Sequence, residues 1–121
     1  MSYSVLVCDD STVARKQVVK HLQRALDLTV FQAENGQQAL QLLQQQQIDL
    51  LCLDLTMPVL DGIGVLEAIK AQQIECYVVV ISADIQAQMK AKVESLGALG
   101  FLEKPVNAEQ LLSLLHQYGI R

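Results

Sequence analysis

The chain has 121 residues, 51% of them apolar, and a formal net charge of -4 from 9 Lys and Arg against 13 Asp and Glu. That is enough for one domain with a real core, too little for two, and too hydrophobic for global disorder. No cluster of lysines and arginines could neutralise a run of phosphates, which speaks against nucleic acid as a direct ligand.

Cys8, Cys52 and Cys76 are odd in number, lie far apart and sit inside or beside apolar runs, so buried thiols are expected rather than a disulfide or a metal site. The N-terminus leads into Val5-Leu6-Val7 without a basic segment, and no apolar stretch approaches the roughly 20 residues that cross a bilayer. A soluble, cytoplasmic protein without membrane insertion is expected.

Val5 to Cys8 is an apolar run stopped by Asp9-Asp10-Ser11, which predicts a central strand buried on both faces, with Ser11 or Asp10 capping the next helix. From Thr12 to Leu26 the apolar positions Val13, Val18, Val19, Leu22, Ala25 and Leu26 recur at helical spacing, and Arg15, Lys16, Lys20 and Arg24 take the outer face. Thr29 to Ala33 alternates and suits a sheet edge. Glu34-Asn35-Gly36 reads as a turn, followed by a helix from about Gln37 to Gln45 with Ala39, Leu40, Leu42 and Leu43 inward. Gln44 to Gln47, four of the chain's 16 glutamines, read as a solvated helix end and linker.

Ile48 to Asp54 is a short apolar run that ends on a single carboxylate and breaks at Pro58, the way a buried central strand delivers a reactive side chain to the rim of a sheet. Met57 to Gly62 is a loop, and Gly64 to Ala71 a helix with Val65, Leu66 and Ile69 inward. Cys76 to Ile81, the most β-branched run, predicts another central strand, ending at Ser82-Ala83-Asp84. In the helix predicted from Ile85 to Leu96 only Ile85, Met89, Val93 and Leu96 are apolar at proper spacing, so it should be the least firmly seated. Gly97 to Gly100 turns into a short strand ending near Leu102, followed by Glu103-Lys104-Pro105. Asn107 then caps a last helix through Leu111, Leu112, Leu114 and Leu115, which Gly119 ends.

Strands and helices alternating at this spacing predict an α/β fold, a parallel sheet covered by helices on both faces. Ligands of such sheets sit beyond the carboxyl ends of the strands, where strand order reverses. Asp9, Asp10, Asp54, Ser82 and Lys104 all follow predicted strands. Three converging carboxylates would repel one another and take up protons without a cation, and hard oxygen ligands suit octahedral Mg²⁺ or Mn²⁺. Lys104 adds a fixed positive charge and Ser82 a hydroxyl donor, and with the metal these can hold the three oxygens of a phosphoryl group. Asp54 is then the nucleophile, attacking phosphorus in line to give an acyl phosphate.

Taken in order, Asp9-Asp10-Ser11, Asp54 with Met57-Pro58 and Asp61-Gly62, Ser82-Ala83 and Lys104-Pro105 closely resemble the receiver domain of two-component response regulators. The similarity covers essentially the whole chain and looks most like the single-domain chemotaxis type. It implies one receiver domain over residues 1–121, a doubly wound, flavodoxin-like sheet of strand order 2-1-3-4-5, and five helices.

The same resemblance implies that Asp54 is the phosphoacceptor, with Asp10 and Asp54 as direct Mg²⁺ ligands, Asp9 reaching the ion partly through water, and the Thr56 carbonyl completing the set. Ser82 would follow the phosphoryl group, Lys104 would pair with it, and the Lys104-Pro105 peptide would be cis. Phe101 falls on the aromatic switch position, without a tyrosine's hydroxyl. Thr56 and Asp84 flank the approach of water and would tune the lifetime of the acyl phosphate. The implied protein is mainly a signalling switch that catalyses its own phosphorylation and dephosphorylation. Its implied partners are a sensor histidine kinase or phosphotransfer domain, a downstream target on the face of the fourth helix, fifth strand and fifth helix, and a phosphatase. Arg15, Lys16, Val18, Val19 and Leu22 are the expected kinase side.

Three other readings compete. A phosphatase with a transient aspartyl phosphate would carry Asp-x-Asp at the nucleophile, where this chain has Thr56 at the second position. A flavin carrier would need a phosphate-cradling loop after the first strand, where Asp9-Asp10 would repel a phosphate, and the chain has no tryptophan to cover the ring. A phosphorylation-independent binding module, or a receiver excised from a longer response regulator, stays open.

Overall fold

The computed structural model describes residues 3–83 and 86–120. Five strands alternate with five helices: β1 (Tyr3–Cys8), α1 (Thr12–Ala25), β2 (Leu28–Ala33), α2 (Gly36–Gln45), β3 (Leu50–Leu53), α3 (Gly62–Gln72), β4 (Tyr77–Ser82), α4 (Ala87–Ser95), β5 (Gly100–Glu103) and α5 (Ala108–Gln117). The strands form one parallel sheet in the order β2-β1-β3-β4-β5. This is the doubly wound, flavodoxin-like α/β arrangement. Among the described residues no helix is long and apolar enough to cross a membrane.

The continuous apolar runs of β1, β3 and β4 follow from burial on both faces. Strand side chains alternate between faces, so each run feeds two cores. Leu6, Cys8, Leu51, Leu53, Val78 and Val80 pack with Ala39, Leu43, Val65, Leu66 and Val93 from α2, α3 and α4. Val5, Val7, Leu50, Cys52, Val79 and Ile81 pack with Val18 and Leu22 of α1 and Leu111 and Leu115 of α5. The less apolar β2 and β5 take the edges, as β2 was expected to.

Ser11 and Asn107 cap α1 and α5 as expected, and Asn35 and Asp61, read from the sequence as turn and loop residues, cap α2 and α3. All four side chains accept from the backbone N–H three residues on. The start of α3 is therefore Gly62, two residues before the expected Gly64, because Asp61 caps it. α4 is the helix expected to be loosely seated, and Val93 is its one buried residue; its N-cap, Gln86, makes no side-chain cap bond. The predicted start at Ile85 lies outside the described residues.

Four expectations are corrected. Arg15 was placed on the outer face of α1, yet it is buried at 7% exposure, whereas Val13, expected inward, is 69% exposed. The buried stripe of α1 is Arg15, Val18 and Leu22, and Val13 lies about 140° around the helix from Val18. Ala25, also expected inward, is exposed on the last turn. Gly36 does not serve a turn: Asn35 is extended with φ -154, and Gly36 opens α2. Its lack of a side chain is needed because a Cβ there would strike the Leu60 carbonyl, to which Gly36 N–H donates at 3.1 Å.

Candidate functional site

The parallel ladder continues one residue past the strands, and this brings the functional side chains together. Asp9 N–H donates to the Ala33 carbonyl at 3.1 Å, Asp54 N–H to the Cys8 carbonyl at 3.0 Å, and Lys104 N–H to the Ser82 carbonyl at 2.9 Å. Asp9, Asp54 and Lys104 thus hang from one rim of the sheet, at the carboxyl ends of β1, β3 and β5. Ser82 was expected just beyond its strand but closes β4, paired with Glu103 and 2% exposed. Gly62 lets α3 begin against this rim, since a Cβ there would lie 2.5 Å from the Asp54 carbonyl oxygen.

Lys104 Nζ lies 2.6 Å from Asp9 Oδ2 and 3.5 Å from Asp54 Oδ2. The other Asp9 carboxylate oxygen accepts from Ser11 N–H at 2.9 Å. Asp9 and Asp54 are buried and Asp10 is exposed, and Asp9, Asp10 and Asp54 each offer a carboxylate oxygen within 4.8 Å of the others. Three hard, anionic donors face one ammonium, so the donor set fits a small divalent cation such as Mg²⁺.

The titration of the site reflects that shortage of positive charge. Burial pushes the Asp54 carboxyl up to about 6, the Asp9 and Asp10 charges push the same way, and Lys104 and the Thr56 N–H bond hold it back. Burial pulls the Lys104 ammonium down, but its bonds to Asp9 and Asp54 outweigh this and its pKa is raised overall. The lysine therefore stays charged.

Around this centre the remaining expected residues are spread out. Thr56 is exposed and bonds Asp54 through its backbone N–H. Thr56 and Ser82 line a groove of about 330 Å³ with Leu55, Met57, Asp61, Ile63 and Met89. Phe101 is half-buried on β5, opposite Val80, and packs against the core that β1, β3 and β4 share with α2, α3 and α4. Asp84 lies outside the described residues. The Lys104-Pro105 peptide is cis.

Arg15 is the misplaced residue of α1 that reaches the site. Its Nη1 donates to the Asp9 carbonyl oxygen at 2.7 Å and its Nε to Gln32 Oε1 at 3.1 Å. Of the five residues expected on the kinase side, Lys16 is exposed and Val19 half-buried, whereas Arg15, Val18 and Leu22 are buried. A spacing of three and seven residues from Val18 and Leu22 was the available signal.

The three cysteines are free, with Cys8 and Cys52 buried and Cys76 half-buried. Cys8 Sγ donates to Met57 Sδ at 3.2 Å, beneath the acidic loop.

Residues 5–116 match the response regulator receiver domain family. The chain belongs to that family. As a receiver domain it is 31% identical over 117 residues to the chemotaxis protein CheY of Bacillus subtilis, covering 97% of this chain and 98% of that one. It is 32% identical over 115 residues to the nitrate/nitrite response regulator protein NarL of Escherichia coli, covering 94% of this chain but only 53% of NarL. Among solved structures, the receiver resembles one chain of the CheX-CheY-BeF3-Mg²⁺ complex from Borrelia burgdorferi with a TM-score of 0.90 and 27% identity, over 98% of this chain and 90% of that one.

Proposed function

We propose that this receiver domain takes a phosphoryl group onto Asp54 from a histidine kinase, a phosphotransfer domain or a small phosphodonor, in a reaction that depends on Mg²⁺ or Mn²⁺. The phosphorylated form then controls a partner protein through its α4-β5-α5 face, in the cytoplasm. The observation that carries this reading is the placing of the buried Asp54 carboxylate within reach of Lys104 Nζ, at 3.5 Å, beside Asp9 and Asp10. The similar Borrelia complex, which contains BeF3 and Mg²⁺, supports it by analogy.

In the proposed chemistry one Asp54 carboxylate oxygen attacks phosphorus in line, and the bond from phosphorus to the donor's leaving atom breaks, its electron pair departing with that atom. With a pKa of about 6, Asp54 is mostly ionised at neutral pH and so nucleophilic. Lys104 donates to one oxygen of the transferred group and the Ser82 hydroxyl to another. Asp9, Asp10 and Asp54, with the Thr56 carbonyl, would hold a divalent ion, which would supply positive charge to the phosphoryl oxygens.

Drawing Ser82 toward the phosphoryl group leaves space into which half-buried Phe101 turns, which changes the surface of α4, β5 and α5. The single buried residue of α4, Val93, suits a helix that has to shift. Thr56, together with Asp84, which lies outside the described residues, is assigned by the family resemblance the role of setting how long the acyl phosphate lasts. A phosphatase is a further partner for that step.

The test is incubation of the protein and an Asp54→Asn variant with acetyl phosphate, with and without Mg²⁺, followed by intact mass within minutes. A gain of about 80 Da that needs both Mg²⁺ and Asp54 is expected. No adduct, together with no response to beryllofluoride, would leave a phosphorylation-independent binding module instead.

A further inference from the structure

Arg15 is nearly as buried as the apolar side chains around it, at 7% exposure. A guanidinium removed from water is costly unless its donors are met. Here they are met from several directions: Nη1 by the Asp9 carbonyl oxygen at 2.7 Å, Nε by Gln32 Oε1 at 3.1 Å, and Nη2 by Thr12 Oγ1 at 3.3 Å. Glu34 Oε1 lies 3.9 Å from Nη2. The side chain thus ties the end of β2 and the start of α1 to the loop that carries two of the three clustered carboxylates.

The bond to Asp9 is distinctive because of what it fixes. The Asp9 carboxylate is held by Lys104 and Ser11, and the Asp9 N–H by Ala33. The Asp9 carbonyl belongs to the peptide plane that joins Asp9 to Asp10, and Arg15 holds it. Asp10 is exposed, so the direction in which its carboxylate leaves the backbone depends on that plane.

We propose that Arg15 is a positioning residue for the acidic cluster: by gripping the Asp9 carbonyl it orients the Asp9-Asp10 peptide so that the Asp10 carboxylate converges with Asp54, and it thereby sets the affinity for the divalent cation. This rests on the reading of Asp9, Asp10 and Asp54 as a Mg²⁺ site. Two effects of Arg15 on that site have opposite signs. Its positive charge repels a divalent ion, so if charge dominated, removing it would tighten binding. If positioning dominates, removing it loosens binding, and lysine is a poor substitute because it lacks the rigid planar fork.

The sign is read by following NMR chemical shifts during Mg²⁺ titration of wild type, Arg15→Lys, Arg15→Gln, Gln32→Met and Asp10→Asn, with thermal unfolding measured alongside. Arg15→Gln and Arg15→Lys are expected to weaken Mg²⁺ binding, about tenfold for the former. Gln32→Met, which keeps Arg15 and removes one acceptor that aims it, is expected to weaken binding by a smaller factor, and it decides the matter if the Arg15 variants do not fold. Unchanged or tighter binding in folded Arg15 variants, with only the melting temperature lowered, would overturn the proposal while leaving the metal site intact. Absence of Mg²⁺ binding in wild type, or binding indifferent to Asp10→Asn, would overturn the metal-site reading and this inference with it.

Discussion

Lys104 is bound more closely to Asp9 than to Asp54, with Nζ 2.6 Å from one carboxylate and 3.5 Å from the other. Asp9 is buried, so the ammonium offsets the cost of holding its carboxylate away from water. Replacing Lys104 with Met leaves a buried carboxylate without its cation, a change that costs about 3 kcal/mol of stability. The loss should appear in urea unfolding in the presence of EDTA and shrink at saturating Mg²⁺, where a bound cation compensates. A loss below about 1 kcal/mol without metal would show that the pair contributes little.

Asp54 makes the metal-free protein less stable as pH rises. Its folded pKa of about 6 lies above the ordinary 3.8, so between those values the folded state holds more protons than the unfolded state. The slope of unfolding free energy with pH is then negative for this group: its penalty is absent below pH 4, grows through the window from 4 to 6, and is complete above it. The full penalty is on the order of 3 kcal/mol. Asp54→Asn should therefore be more stable than wild type at pH 7.5 in EDTA, with the difference vanishing near pH 4. A constant difference across that range would assign the effect to something other than Asp54 titration.

What the sequence made legible divides along the range of the interactions involved. β1, β3 and β4 were readable because burial on both faces leaves an unbroken apolar run, and Asp9, Asp54 and Lys104 because each sits one residue past the strand that presents it. The strand order was not in the periodicity, since a crossover of given length can reach either side of a strand; it came through the resemblance. Arg15 escapes the pattern because a periodicity argument counts every cation as polar, whereas its burial is sustained by the Asp9 carbonyl just past β1 and by Gln32 on β2. Gly36 was misread because Asn-Gly is a local turn signal, while the contact that demands glycine comes from Leu60, far along the chain.

The cysteines should be chemically quiet in the native state. Burial pushes the thiols of Cys8 and Cys52 up to about 12 and that of Cys76 up to about 11, and for Cys8 the Asp9 and Asp54 charges add to the effect. Little thiolate is present at pH 8, so reaction with a disulfide reagent should run about a hundredfold slower than for an exposed thiol. Half-buried Cys76 should react first, and Cys8 and Cys52 only at the rate of unfolding. Rapid labelling of Cys8, located by peptide mass, would mean that the acidic loop above it opens readily.

Val59 carries the clearest backbone strain in the described chain. It lies in the loop between β3 and α3 with φ 70, inside a turn closed by Leu60 N–H donating to the Pro58 carbonyl at 2.8 Å. A β-branched residue is poorly suited to that region of backbone space, where the cost is about 1 kcal/mol, and asparagine tolerates it better. The side chain is 77% exposed, so it contributes little packing to offset the strain. Val59→Asn should stabilise the protein by about 1 kcal/mol and raise the melting temperature by roughly 4 °C. Val13→Asn is the control: that valine is 69% exposed on α1 and free of such strain, so replacing it should give no gain. Equal effects at the two positions would show that the gain comes from removing an exposed apolar side chain. A rise confined to Val59 would place the strain in the loop that follows Asp54, where the same variant can be tested for a changed rate of phosphorylation by acetyl phosphate.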